Sequence, residues 1–179
     1  MNSYHLKRIC AVIAVIGAVS LALMAGAFWA GARINTTRSI PVGLYWTSNA
    51  PVEKDAYVLF CPPQNDIFET AKKRGYIGAG FCPGGYGYMM KRILAAKNDF
   101  VSTTAEGLRV NGDLLPLSTP RTMDLAGRAL PRFEFPRHAL ADDELLLMSD
   151  VSATSFDGRY FGPINRSQVI TVIAPVITW

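Results

Sequence analysis

Hydrophobic and polar positions divide the chain into an apolar amino-terminal segment and a longer stretch of mixed character. The 24 positions from Ile9 to Ala32 contain no charged residue. At 1.5 Å per residue, a helix of that length crosses a hydrocarbon layer of about 30 Å. The pattern predicts one transmembrane helix over 9–32, followed by a folded domain over 33–179.

Charges beside the apolar segment predict its orientation. Lys7 and Arg8 precede it, and positive residues favour the cytoplasmic side. We therefore expect residues 1–8 in the cytoplasm and the domain that follows the helix outside it. The alternative is a cleaved signal peptide with Ala30-Gly31-Ala32 as its site. The apolar run is longer than the 7–15 residues typical of such peptides, which favours a retained anchor.

Beyond the anchor, the pattern predicts a mainly β domain with short helical insertions. Aromatic and β-branched residues indicate strands, at 44–46, 57–60, 86–95, 144–149 and 169–176. A hairpin is expected over 108–115, because Asn111-Gly112 suits a tight turn. Residues 65–74, acidic at the start and basic at the end, predict a helix. The stretch 116–138 is rich in Pro and Arg and predicts irregular structure.

Composition narrows the possible functions. The chain has 179 residues, 50% of them hydrophobic, which is enough for one domain with a core. Its 18 basic and 14 acidic residues give a net charge of +4. They are interspersed and form no basic block, so we expect no direct binding of nucleic acid.

The cysteines fit an oxidising compartment. Cys10 lies in the apolar run, where it acts as a small hydrophobic residue. Cys61 and Cys82 are followed by proline in turn-forming contexts, and they can pair outside the cytoplasm. Two buried free thiols are the alternative. No close C-x-x-C spacing occurs, and His5 and His138 are isolated, so we expect no metal site and no cofactor.

One serine and one lysine suggest nucleophilic catalysis. Ser39 lies in a turn that also contains Pro41. A serine hydroxyl needs a base, and a lysine can serve if burial lowers its pKa from about 10.4 to roughly 7–8. Alternation within a strand puts Lys91 on the face of Met89 and Ile93, which is expected to point inward. The alternative is a strand-edge lysine that reaches solvent. A histidine base is less favoured, since His138 has no neighbouring carboxylate in the sequence.

Three strings, in order, resemble the conserved boxes of the type I signal peptidase superfamily. They are Ser39-Ile40-Pro41-x-Gly43, Lys91-Arg92 and the run SDVSATSFDGRYFG over 149–162. The likeness extends along the whole chain, and it is strongest to the branch that serves conjugative transfer of IncP-type plasmids. It implies a signal-peptidase-like catalytic domain of β-sheet or barrel form.

The resemblance also implies roles for the reactive residues. Ser39 matches the acylating serine, and Lys91 matches its general base. Thr37 matches a residue whose hydroxyl binds the oxyanion together with the Ser39 backbone N–H. Two such donors are usually a large catalytic contribution.

Three further residues match supporting positions of the family. Ser155 corresponds to the serine that orients the lysine amine, although it also suits a turn hydroxyl bonded to its own backbone. Asp157 and Arg159 correspond to a charged pair that braces the site. The alternative for these two is a surface ion pair of little consequence.

Two departures separate the chain from general signal peptidases. Those enzymes usually have methionine after the serine and one more residue before the proline, whereas here Ile40 directly precedes Pro41. Their lysine box usually ends Gly-x-Pro-Gly-Asp, whereas residues 95–99 read AAKND. Both changes fit the conjugative branch.

The resemblance implies a serine endopeptidase with a single-pass anchor in the bacterial inner membrane and a catalytic domain in the periplasm. It would mature a conjugative pilin precursor through an acyl-enzyme. It also implies head-to-tail cyclisation of the pilin, and a requirement in pilus assembly and conjugative DNA transfer. The expected partners are the pilin precursor, the inner membrane and other conjugative transfer or type IV secretion components. The alternatives are a general type I signal peptidase, and a non-catalytic structural component of the conjugation apparatus.

Overall fold

The computed structural model describes residues 3–134 and 136–179, which divide into two compact units, Met1–Arg33 and Ile34–Trp179. The first unit is dominated by a helix, α1, over Ser3–Trp29. Its part Lys7–Trp29 has a mean hydropathy of 2.5 and is long enough to cross a membrane. The described side chains of α1 are exposed, as lipid contact requires. The sequence therefore correctly predicts an apolar helix of membrane-spanning length, although α1 ends at Trp29 rather than at Ala32.

The second unit is mainly β, as predicted. The strands of the described residues are β1 Ala32–Asn35, β2 Gly43–Ser48, β3 Tyr57–Phe60, β4 Ala79–Cys82, β5 Met89–Ala95, β6 Phe100–Thr103, β7 Leu108–Val110, β8 Asp113–Leu114, β9 His138–Ala139, β10 Glu144–Met148, β11 Ile164–Asn165 and β12 Val169–Thr178. The short helices of this unit are α2 Asp66–Lys73 and α3 Gly158–Phe161.

Two sheets contain all of these strands except β4. The larger has the order β1-β2-β12-β3-β5-β10-β11, and the smaller has the order β8-β7-β6-β9. Strand β5 is central: it pairs antiparallel with β3 on one side and with β10 on the other. One buried cluster joins β3, β5 and β10 to α2, and it includes Val58, Phe68 and Ile93. A second joins β10 to the smaller sheet through Leu146 and Val101.

Strand β5 shows the alternation that the sequence predicts. Met89, Lys91, Ile93 and Ala95 are buried, and the residues between them are half-buried. The strand begins at Met89, three residues later than expected. Tyr86 instead forms isolated bridges with Ala79 and Cys82 on β4, so the chain before Met89 pairs elsewhere.

The predicted helix and disulfide are confirmed. The Asn65 side chain caps α2 by accepting a hydrogen bond from the Phe68 N–H, and Gly75 follows the helix with a φ of +78°. Cys61 follows β3 and Cys82 ends β4, and the two form a disulfide with a Cα–Cα distance of 5.4 Å. The helix is thus held in a covalent loop beside the large sheet.

The predicted hairpin is also confirmed. Asn111 and Gly112 both have positive φ, 55° and 97°, as the tight turn between β7 and β8 requires. The stretch 116–138 is irregular for most of its described length, apart from a bridge between Met123 and Ala129 and the start of β9 at His138. It packs on the domain, since Phe133 lies against Gly162.

Candidate active site

A buried asparagine organises the turn that carries Ser39. Asn35, 3% exposed, ends β1. Its Nδ2 donates to the carbonyl oxygens of Thr37, Ile40 and Pro41 at 2.7, 3.0 and 3.1 Å. Its Oδ1 accepts from the backbone N–H and the hydroxyl of Thr37 at 3.2 and 3.0 Å. One side chain therefore ties both ends of the turn around Ser39.

The Ser39 hydroxyl lies at the end of this network. Its Oγ is 2.9 Å from Thr37 Oγ1. A threonine hydroxyl has one hydrogen, and that of Thr37 is donated to Asn35 Oδ1. Thr37 therefore accepts the hydroxyl hydrogen of Ser39. The order of donation runs from Ser39 through Thr37 to Asn35.

Asn35 was not predicted as a site residue from the sequence, where the first residue assigned to the site was Thr37. A sequence signal does exist, because asparagine just ahead of a Ser/Thr-rich turn commonly bonds the backbone two residues on. The bond from the Thr37 N–H to Asn35 is of that kind. Its three bonds to carbonyl oxygens, however, depend on how the turn closes.

Lys91 is buried in the centre of the large sheet. Only 2% of the residue is exposed, so it does not reach solvent from a strand edge. Its Nζ donates to Ser155 Oγ at 2.6 Å. Burial lowers the pKa of Lys91 to about 8; the carboxylate of Asp157 opposes this shift, and the guanidinium of Arg159 adds to it.

The charged pair behind Lys91 is fully buried. Both side chains of Asp157 and Arg159 have 0% exposure. Arg159 Nε and Nη2 donate to the two carboxylate oxygens of Asp157, each at 2.8 Å. One of those oxygens also accepts from the Ser149 N–H at 3.1 Å. These contacts exclude the surface ion pair considered from the sequence.

Arg159 fixes the loop that carries Ser155. Its guanidinium donates to the carbonyl oxygens of Ser152 and Ser155 at 3.1 Å each, and of Ala153 at 2.9 Å. It also holds the stretch 116–138 through the Leu117 carbonyl at 2.6 Å. The hydroxyl of Ser155 is consequently positioned for Lys91 by a buried cation with all its donors engaged.

One cleft of about 440 Å³ brings most of these side chains together. Ser39, Lys91, Thr37, Ser155 and Asn35 all line it. Asp157 and Arg159 are not among the lining residues and stand behind its wall. In the described part of the chain, Ser39 and Lys91 are not hydrogen-bonded to each other. Ser39 is bonded instead to the hydroxyl of Thr37, and Lys91 to the hydroxyl of Ser155.

The remaining candidates lie elsewhere. His138 is on β9 in the smaller sheet, and its Nε2 is 2.7 Å from Glu144 Oε2. The disulfide of Cys61 and Cys82 is not part of the cleft lining. Arg92 of the Lys-Arg motif pairs with Asp150 at 3.2 Å. Within residues 3–134 and 136–179, no three His, Cys, Asp or Glu side chains converge as metal ligands would.

Comparison with known proteins shows matches to one protein family and to relatives along nearly the whole chain. The family model described as signal peptidase, peptidase S26, matches residues 5–179. A plasmid transfer protein TraF of Escherichia coli is 68% identical over 174 residues, covering 97% of this chain and 98% of that protein. A conjugal transfer protein TraF of Agrobacterium fabrum is 33% identical over 174 residues, covering 94% and 97%.

A solved structure is also similar. A signal peptidase I from Enterococcus faecalis matches with a TM-score of 0.41 and 16% identity, covering 71% of this chain and 100% of that one. The sequence matches identify the family by themselves, since they span nearly the whole chain. The resemblance inferred from the three motifs is thereby confirmed. The chain belongs to the signal peptidase family, peptidase S26, and is a serine peptidase by that membership.

Proposed function

We propose that this chain is the membrane-anchored peptidase of a plasmid conjugation system, with Ser39 as nucleophile and Lys91 as general base. The observation that carries the proposal is a buried amine, its pKa lowered to about 8, that lines the same cleft as a serine hydroxyl. The names of the TraF relatives support the role in conjugation. In this proposal residues 1–8 are cytoplasmic, 9–32 form the anchor, and 33–179 act in the periplasm.

Acylation begins with a change of hydrogen-bond partner. Ser39 turns its hydroxyl from Thr37 to the neutral amine of Lys91, which takes the proton while Oγ bonds to the substrate carbonyl carbon. One N–H of Lys91 is already committed to Ser155 at 2.6 Å. That bond leaves the nitrogen lone pair free for the proton of Ser39.

The tetrahedral intermediate then collapses to an acyl-enzyme. Its oxyanion accepts hydrogen bonds from the Ser39 N–H and from the Thr37 hydroxyl, which turns away from Asn35 to serve. The ammonium of Lys91 gives its proton to the leaving amine as the C–N bond breaks. The products of this step are a free amine and an ester on Ser39.

The second half of the reaction decides the product. Attack of water on the ester gives a linear acid, whereas attack of the substrate's own amino terminus gives a circular chain. An amine held beside the ester has a far higher effective concentration than in free solution. We propose a pilin precursor as substrate and cyclisation as the outcome, on the strength of the family branch that the motifs resemble.

The proposal is tested by co-expressing the full chain with the pilin precursor of its plasmid. Ser39→Ala and Lys91→Ala are compared with the wild type and with Ser167→Ala, a serine in an exposed turn. Both dyad variants are expected to abolish maturation, and the control is expected to retain it. Intact mass then identifies a cyclic pilin, which is one water lighter than the linear product.

Each other outcome removes a specific part of the proposal. Maturation by either dyad variant contradicts the Ser39–Lys91 mechanism and favours a structural role. A product of linear mass contradicts cyclisation alone. Processing of many unrelated secretory precursors by the wild type contradicts pilin specificity and favours a general signal peptidase.

A further inference from the structure

A second cavity adjoins the catalytic cleft. Its volume is about 350 Å³, and its walls are the aromatic side chains of Tyr76, Phe156 and Tyr160 together with the segment 121–130. The rings of Phe156 and Tyr160 are stacked, with centroids 5.9 Å apart and planes within 4°. The ring of Tyr76 lies 5.5 Å from that of Phe156. The cavity thus offers flat apolar walls.

The segment 121–130 is held firmly against these rings. The Tyr76 hydroxyl donates to Asp124, and Arg128 Nε donates to the same carboxylate at 2.6 Å. Arg74 Nη1 donates to the Ala129 carbonyl at 2.6 Å. Since both walls are fixed by such contacts, a ligand would enter a cavity that is already formed.

One charge at this cavity is uncompensated. The carboxylate of Asp124 is paired with Arg128 and also accepts from the Ala126 N–H. Arg121 is exposed, and among the described residues its guanidinium has no hydrogen bond or ion pair. Its backbone N–H is bonded to Tyr160 at 3.3 Å, which keeps the residue at the rim. A carboxylate is the natural partner for such a guanidinium.

The cavity shares part of its wall with the catalytic cleft. Tyr76, Thr154 and Phe156 line both. An extended polypeptide advances about 3.3 Å per residue, so a chain lying in the cleft crosses this shared wall within a few residues. The occupant of the second cavity is therefore expected to be part of the same substrate.

We propose that the second cavity is a substrate subsite for an apolar side chain next to a carboxylate, several residues from the bond that Ser39 attacks. The apolar side chain packs on Phe156 and Tyr160, and the carboxylate binds the Arg121 guanidinium. The inference rests on the proposed function, and it identifies a feature of the precursor that the enzyme recognises.

The test uses the full-length enzyme and the full-length precursor in detergent micelles. Arg121→Ala is compared with Arg132→Ala, an exposed arginine paired with Glu134 and absent from the cavity lining. Loss of one charge-assisted contact is expected to raise KM about five- to tenfold, with kcat unchanged. Leu125→Asn, at the exposed apolar rim, is expected to raise KM in the same way.

A charge swap identifies the partner. Each Asp or Glu of the precursor is changed in turn to Asn or Gln. One of these changes is expected to raise KM for the wild-type enzyme and to have no further effect with Arg121→Ala. Arg121→Glu is expected to be rescued when that acidic residue is changed to Lys.

Other results overturn the subsite. The proposal is wrong if Arg121→Ala leaves KM unchanged. It is also wrong if Arg121→Ala raises KM by the same factor for the wild-type precursor and for every precursor in which one Asp or Glu has been replaced. Failure of the proposed function is distinguishable, because Ser39→Ala would then still process the precursor. If Ser39→Ala abolishes processing and Arg121→Ala has no effect on it, the subsite is wrong and the proposed function stands.

Discussion

At the scale of single residues, the pH dependence of the proposed reaction follows from Lys91. Its pKa is lowered from 10.5 to about 8, chiefly by burial, and only the neutral amine acts as a base. We expect the rate of precursor processing to rise about tenfold per pH unit below pH 8 and to level off above it. Initial rates between pH 5.5 and 10 measure this. A rate that is flat through pH 8 would contradict a lysine base.

The same lysine is expected to reduce stability. Its pKa is lower in the folded than in the unfolded chain, so stability rises with pH between about 8 and 10.5 and is lowest below 8. Lys91→Met removes the buried ammonium and should raise the free energy of unfolding at pH 7 by about 1–3 kcal/mol. Urea titration of the variant and of Lys97→Met, an exposed control, checks this. A less stable Lys91→Met variant would mean that burial of the amine has little cost.

Asn35 is the residue that sequence reasoning missed, and we expect it to position Ser39. Asn35→Ala frees the turn, and a displacement of about 1 Å at a nucleophile can cost about 10²-fold in rate. We therefore expect kcat to fall about 10- to 100-fold while the midpoint of the pH profile stays near 8. Asn165→Ala, an exposed turn asparagine, is the control. If the Asn35→Ala enzyme folds and has a normal kcat, Asn35 does not position Ser39 and contributes only to stability.

At the scale of elements, the loop before α3 depends on the buried ion pair. Asp157→Asn leaves the Arg159 guanidinium buried without its counterion, which is expected to cost about 3–5 kcal/mol of unfolding free energy. Glu134→Gln breaks an exposed pair and should change it by less than about 1 kcal/mol. Chemical denaturation compares the two. Equal effects would mean that the buried pair contributes no more than a surface one.

The same substitution tests the electrostatics of Lys91. The carboxylate of Asp157 raises the pKa of the amine, so its loss should move the midpoint of the pH profile below 8. An unchanged midpoint in folded Asp157→Asn would show that this carboxylate does not influence the base.

Local sequence signals predicted several elements well. Strand β3 has the predicted bounds, and α2 lies within the predicted 65–74, because their signals are in neighbouring residues. Strands β1, β4, β6, β9 and β11 were not predicted. They are two to four residues long, and some of their ladders pair segments distant in sequence, such as Phe100 with Ala139. Such strands depend on tertiary pairing more than on local propensity.

At the scale of the whole molecule, the disulfide and the amino-terminal charges predict the topology. A bond between Cys61 and Cys82 requires an oxidising compartment, and Lys7 and Arg8 favour a cytoplasmic amino terminus. Two reporters fused after Trp179 test this orientation. We expect alkaline phosphatase to be active in cells, because it needs an oxidising compartment. We expect green fluorescent protein exported by the general secretion route to show no fluorescence. The reverse pattern would place the domain in the cytoplasm.

Four features could be predicted from the sequence: the apolar helix, the mainly β class, the inward face of β5 and the family. These features follow from hydropathy, from period-two alternation and from short motifs, all of which depend on residues close together in the sequence. Three features became evident only in the folded chain: the burial of the Asp157–Arg159 pair, the hydrogen bonds of Asn35 to the Ser39 turn, and the second cavity beside the cleft. Burial and hydrogen-bond partners depend on segments far apart in the chain, and a polar residue has the same letter in a core as on a surface.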